Sequence, residues 1–458
     1  MRDPLRSAVI VNHFRYKHTE TSCATSFSLL SVEGWHSGFW NLALATVEAM
    51  LLPLSNTPRD YAWGSTTAIA ELQGRVPSGA PEAELWLGAH AGSPALVSAD
   101  GEYALDEWIA TDPQRALAGA TSLPFLLKVL AAAAPLSLQA HPSRAQAQAG
   151  FARENAAGLP ADSPIRNYKD AEHKPELIVA LSEEFIALCG FRPISATVHD
   201  LQSLVDAYGD AGGASAAASF VDELRDRSRA SVSRAYAWAV EYLLRGAHSS
   251  VHVIAQLTAA AQTEQAASVA PSTTATIRTL AQAYPADPGI VIGAMLNRVV
   301  LDAGEALFLP AGNIHAYVHG LGIELMSASD NVLRGGLTTK HVDVDELIRI
   351  ADFEPLVDPR LAPEQLSGVL SRFEAPVDDF VLYRHHNSAA AGYADSDAAS
   401  TVDISVAGVA LCVAGEARLS GAHGSLTLHR GQACFITGDE KSLRIEGSGD
   451  IFVATSKG

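Results

Sequence analysis

The sequence predicts a mainly β protein with an α-helical insert, and three observations carry that reading. Short apolar runs broken by Gly and Pro fill residues 50–192 and return after about residue 290. Between them, residues 195–283 space Leu, Val, Phe and Tyr at three and four, the period of an amphipathic helix. From about residue 375 the chain is again a series of short strands separated by turns, the pattern of a small β-sandwich.

A chain of 458 residues exceeds what one core can organise, so two to four domains are expected. A hydrophobic fraction of 48% with 18% charged residues is that of a globular protein. The formal net charge of −19 repels phosphate backbones and anionic lipid, so neither nucleic acid nor a membrane surface is an expected partner. An anionic metabolite would need a local basic cluster. Cys23, Cys189, Cys412 and Cys434 stand far apart with no CxxC, which fits a reducing compartment such as the cytoplasm. The apolar run at 40–54 is interrupted by Glu48 and has no Lys or Arg directly before it, so neither a signal peptide nor a membrane span is expected.

Residues 1–49 show neither strand alternation nor a helical stripe and are expected to be a disordered extension. The clearest strands that follow are LPFLLKVL (123–130), PLSLQAHP (135–142), PELIVAL (175–181) and EEFIALCGF (183–191). A helix is expected after Pro142, with Ser143 as its N-cap. Strand signals resume at 292–312, so the helical block interrupts a β domain and does not follow it. In the tail, LHRGQACFI (428–436) repeats the pattern of GEALFL (304–309), a hint of two related β-sandwich units.

Three segments carry the chemistry. If PLSLQAHP is a strand, its period of two puts Ser137, Gln139 and His141 on one face and turns Leu138 and Ala140 into the core. That face lines a cavity or simply meets solvent. The run His173-Lys174-Pro175-Glu176 places a carboxylate at the entrance to a buried strand, which requires a salt bridge or a bound cation. Residues 304–315 match the G-x5-P-x-G-x2-H pattern of the second cupin motif and end on His315, although its usual closing Asn is His319 here. Together Gln139, His141, Glu176 and His315 offer an amide oxygen, two imidazoles and a carboxylate. That set suits zinc first, with an open coordination position, and ligand type alone does not separate zinc from manganese, iron or cobalt.

These residues resemble those of the type I phosphomannose (mannose-6-phosphate) isomerases over roughly residues 54–350. The similar stretches are Tyr61-Ala-Trp63-Gly64, ELWLGAH (84–90), LPFLLKVL, SLQAHP (137–142), HKPE (173–176), CGFRP (189–193), NIHAY (313–317) and the run from Ile323 to Lys340. Ala62 departs from the Asp or Glu often found there. The resemblance implies interconversion of mannose 6-phosphate and fructose 6-phosphate, with one Zn2+ per chain on Gln139, His141, Glu176 and His315, and an active-site arginine at Arg334. It also implies a cupin-like β-sandwich catalytic domain (50–194 and 284–360), a helical domain (195–283) and a C-terminal jelly-roll domain (361–458).

Aldose–ketose interconversion moves a proton between C2 and C1 through a cis-enediol, which needs a base, and Glu324 and Lys174 are the candidates. Arg334 offers a planar fork for phosphate or enediolate oxygens. Lys128, Lys340 and Ser137 are further candidates for the phosphate, and Trp63 for packing on the sugar. The expected partner is a small sugar phosphate, bound by a monomer. Two other readings compete: a cupin-type metal oxygenase, and a non-catalytic sugar-phosphate-binding protein. An oxygenase acting on apolar substrates has no need of Lys128, Lys174, Arg334 and Lys340.

Overall fold

The computed structural model describes residues 51–209, 215–246, 248–387 and 398–457, so the expectation for residues 1–49 lies outside the described residues. Their β structure comprises two nine-stranded sheets and one four-stranded sheet. The strand that organises the first is His315–Ser327, 13 residues long. Its N-terminal half pairs with Phe185–Phe191 and Gln139–Ala140, its C-terminal half with Phe125–Ala132 and Glu176–Ala180. A bulge between Tyr317 and His319 and then Gly320, at φ 120°, turn the strand from one set of partners to the other. A Cβ on Gly320 would lie 2.8 Å from the Phe185 Cα, so only glycine fits this crossing.

Register fixes which residues share a face. Trp86, Lys128 and Glu324 stand side by side on three neighbouring strands, and Glu176 stands opposite Met326, two residues on from Glu324. By the period of two, one face of this sheet carries Glu84, Trp86, Lys128, Glu324 and Glu176. The reverse face sends Leu85, Leu127, Val129, Leu177, Val179, Ile323 and Leu325 into a core.

The expected helix forms as Arg144–Ala156, closed by a capping box between Ser143 and Gln146. The helical block is also present. Ile194–Tyr208, Ala216–Ser228, Val232–Leu244, His248–Ala261 and Pro271–Ala283 bury Leu201, Phe220, Tyr236, Val240, Leu257 and Ile277. The same core contains Leu138, Ala140, Leu188 and Leu333, so these helices clamp the back of the segment that bears Gln139 and His141. PLSLQAHP is strand only at Gln139–Ala140, yet the alternation holds, with Leu138 and Ala140 fully buried.

The tail builds a sandwich. Leu370–Phe373, Val381–His386, Asp450–Thr455, Gly408–Ala414 and Ala433–Ile436 form one sheet, and Ala399–Asp403, Ser442–Gly447, Glu416–Ser420 and Ser425–His429 the other. The first sheet continues into Leu51–Ser55, Leu96–Ser98 and Glu102–Ala104, segments that the sequence reading assigns to the catalytic domain. Leu51 packs inside the tail sandwich, while Leu52 and Leu54 pack with Leu127, Leu177 and Phe380. Leu51 and Leu52 face different cores while Pro53 and Ser55 are exposed, so the short run shows too little alternation to announce its place.

Arg384 donates to both oxygens of Asp450, at 2.9 and 2.6 Å, and His386 Nδ1 lies 3.1 Å from the same carboxylate. Burial alone would raise the Asp450 pKa, but Arg384 and His386 outweigh it and hold the group below its ordinary value. A lowered folded pKa contributes stability above the ordinary value near ~3.9, and that stability is lost as pH falls through the folded value. Asp450→Asn should therefore cost about 3 kcal/mol above pH ~5. Urea midpoints of parent and variant should converge as the pH is lowered below ~3.

Candidate active site

His141, at the end of the short strand Gln139–Ala140, is fixed by its Nδ1, 2.7 Å from the Asn331 carbonyl oxygen. His315 opens the long strand and is delivered by the turn after Leu309, where Gly312 sits at φ 81° with its missing Cβ 2.9 Å from the Ile350 carbonyl oxygen. Its Nδ1 lies 3.1 Å from the Asn313 carbonyl. Carbonyls only accept, so both rings carry their proton on Nδ1 and turn an Nε2 lone pair inward. Glu176 receives them: Oε1 is 3.2 Å from His141 Nε2, and Oε2 is 3.2 Å from His315 Nε2.

These ligand atoms all lie within 4.8 Å of one another, and the three residues are buried. Two lone pairs facing a carboxylate is acceptor against acceptor, an arrangement that a cation between them makes favourable. His141 Nε2 has no hydrogen-bond partner. Burial, then the charge of Lys174, pulls the His141 pKa down to about 4, so the ring is neutral at physiological pH. Glu176 is held well below the usual carboxylate range: burial would raise it, but Lys174, with Nζ 2.9 Å from Oε1, and then His141 override that. Gln139 pairs in register with His315 on one side and Arg334 on the other. Its NH2 donates to Ser137 Oγ at 3.3 Å, which leaves the amide oxygen as the fourth candidate donor. Nitrogen, nitrogen and carboxylate oxygen with one further oxygen fit a zinc ion.

A cavity of about 610 Å³ adjoins this cluster, which meets it through Gln139 and Lys174. Ser137, Trp63, Lys128, Arg334 and Lys340 also line it, with Trp63 stacked on Tyr61 at 5.7 Å. Lys128 is committed to two carboxylates: its Nζ lies 3.0 Å from Glu324 Oε2 and 3.7 Å from Glu84 Oε1, over the Trp86 ring at 5.0 Å. Trp86 Nε1 donates to Glu84 Oε2 at 2.8 Å, closing the group. Burial would push the Lys128 ammonium down, but Glu324, Glu84 and Glu176 together hold it above the lysine range. Glu324 is raised, since burial and the neighbouring carboxylates outweigh Lys128. Arg334 and Lys340 have no acidic partner among the described residues. Burial lowers the pKa of both, and Arg334 adds to the effect on Lys340. They are the cavity's uncommitted positive charges. Glu84 is the residue that the sequence reading missed. Its signal is the period of two in Glu-Leu-Trp-Leu, which puts Glu84 beside Trp86 on the polar face.

A chain from Escherichia coli named mannose-6-phosphate isomerase is 38% identical over 407 residues, covering 87% of this chain and 97% of its own. This chain belongs to the type I phosphomannose isomerase family. Family models agree: phosphomannose isomerase type I, catalytic domain, matches residues 51–194, and mannose-6-phosphate isomerase, cupin domain, matches 371–456. A crystal structure of a single-substitution variant of the phosphomannose isomerase from Salmonella typhimurium superposes with a TM-score of 0.77 at 36% identity, covering 89% of this chain and all of that one. A zinc-bound mannose 6-phosphate isomerase superposes with a TM-score of 0.76 at the same identity and coverage. Membership of this isomerase family leaves the oxygenase and non-catalytic readings without support.

Proposed function

We infer that this chain is a zinc-dependent isomerase interconverting mannose 6-phosphate and fructose 6-phosphate. The observation that carries the inference is the inward convergence of His141 Nε2, His315 Nε2 and the Glu176 carboxylate beside a cavity lined by Arg334 and Lys340, neither of which makes an ion pair among the described residues. Gln139, His141, Glu176 and His315 would hold one zinc ion, which when bound supplies Lewis-acid stabilisation of negative charge developing on the sugar oxygens.

The chain's own groups do the rest. Arg334 and Lys340, helped by Ser137, bind the phosphate dianion, and Trp63 packs on the sugar. Of the two candidate bases Lys174 lines the cavity, while Glu324 stands behind Lys128; Glu324 is assigned the transfer of the proton between C2 and C1 because burial and the neighbouring carboxylates raise its pKa and so strengthen it as a base. Lys128 holds that carboxylate in place through its 3.0 Å contact and is thus assigned to positioning Glu324 and not to the phosphate. Lys174 joins Glu176 to the cavity and is assigned the proton that passes between O1 and O2 of the cis-enediol. The reading is of a monomer, with every group invoked drawn from one chain. Cys189, Cys412 and Cys434 are buried and free, as a reducing cytoplasm favours. Among the described residues no helix is long and apolar enough to cross a membrane.

A coupled assay with mannose 6-phosphate tests the reading. Chelation should take turnover to background, and added zinc should restore it. Absence of turnover in every metal state would overturn the assignment.

A further inference from the structure

Beyond the apolar core that it shares with the site sheet, the C-terminal sandwich sends a carboxylate to the segments that carry the candidate metal ligands. Asp379 lies in the turn between Leu370–Phe373 and Val381–His386, and that turn is anchored by Ala375 and Phe380, both fully buried in the core beneath the site sheet. Its carboxylate is about nine-tenths buried and binds two partners. Oδ1 accepts from Arg144 Nη2 at 3.0 Å, and Oδ2 lies 2.9 Å from His173 Nε2. Arg144 also pairs with Glu172.

These partners belong to the segments that carry metal ligands. Arg144 is three residues after His141 and begins the helix capped by Ser143. His173 is three residues before Glu176 and directly precedes Lys174. The His173–Glu176 segment is held on its other side by the third ligand's strand, where Ser327 N donates to the Pro175 carbonyl at 3.2 Å. A single carboxylate from the tail thus ties the chain after one ligand to the chain before another, and the second of these also rests on the strand begun by His315. We propose that Asp379 is a positioning residue for the metal centre: it fixes the spacing of His141 and Glu176, and the placement of Lys174, from outside the cavity. The inference rests on the isomerase reading only for its kinetic arm, since metal retention is read without turnover.

The test compares the full-length parent with Asp379→Ala and Asp379→Asn, and with Arg384→Ala, which breaks a buried pair elsewhere in the tail. Zinc affinity of the metal-free proteins is measured by competition with a chromophoric chelator, Tm by scanning calorimetry, and kcat and KM separately by the coupled assay. Outer partners of metal sites typically govern affinity or activity by 10–100-fold, so Asp379→Ala should weaken zinc binding and lower kcat by about tenfold, with KM changed less than about twofold. Arg384→Ala should lower Tm and leave both quantities near the parent. Asp379→Asn keeps the shape and one acceptor oxygen, so it will fold even if alanine does not, and it should lie about threefold below the parent in zinc affinity. Parent-like zinc affinity and kcat in both Asp379 variants, or equal losses in Asp379→Ala and Arg384→Ala at matched loss of Tm, would overturn the proposal. An inactive parent that still shows the difference in zinc affinity would count against the isomerase reading alone.

Discussion

Glu176→Gln should abolish turnover and weaken zinc binding by at least about three orders of magnitude. Glu176 is the one anion among the four candidate ligands, and the nearest fixed charge beside it is the ammonium of Lys174, 2.9 Å away. Removing a unit charge about 4 Å from a cation costs roughly 4 kcal/mol per unit of the cation's charge at an effective dielectric of about 20, so a factor of about 10³ in affinity is a lower bound for a dication. Glutamine keeps the size and one oxygen, so packing is preserved and the loss reports charge. Chelator competition on the metal-free protein measures it directly. Affinity within tenfold of the parent would mean that Glu176 is a partner of Lys174 and not a ligand.

Lys128→Met should be the most damaging change to stability in the cavity, and should also lower kcat by at least about 10². It leaves Glu84 and Glu324 buried at 7% and 3% exposure without their cation. Leaving a buried charge unpaired costs about 3–5 kcal/mol, roughly 3–5 °C in Tm for a chain of this size. The kinetic effect has a sign. Lys128 holds the Glu324 pKa down against burial, so its removal drives that pKa further up and moves the acid limb of kcat/KM to higher pH. The double variant Lys128→Met with Glu324→Gln removes one stranded charge and should recover part of the Tm but none of the turnover. Calorimetry and a pH–rate profile separate these outcomes, and an unshifted acid limb would remove Glu324 from the role of base.

The directions of the candidate donors were legible in the sequence, and among them the structure brings His141, Glu176 and His315 together. His141 and Gln139 follow from alternation with Leu138 and Ala140, His315 from the turn that Gly312 permits, and Glu176 from the contradiction of a carboxylate opening an apolar strand. The partners of Lys128 were not legible, since Trp86, Lys128 and Glu324 meet only through the register of three strands drawn from distant stretches. For the same reason a lysine that looks free to hold phosphate in the sequence is engaged by carboxylates in the fold. The helical block was readable from its period, whereas Leu51–Ser55, apolar on both faces, gave no sign that it belongs beside Ala433–Ile436.

That pairing, Leu51 against Ile436, has a cost during synthesis. The segment is among the earliest of the described residues to leave the ribosome, and its hydrogen-bonding neighbour is among the last. At usual elongation rates the edge that pairs with Ala433–Ile436 must wait on the order of tens of seconds for its partner, although the opposite edge meets Leu96–Ser98 sooner, and an open edge invites intermolecular association. A chain interrupted before its final eighty or so residues would leave that edge open permanently.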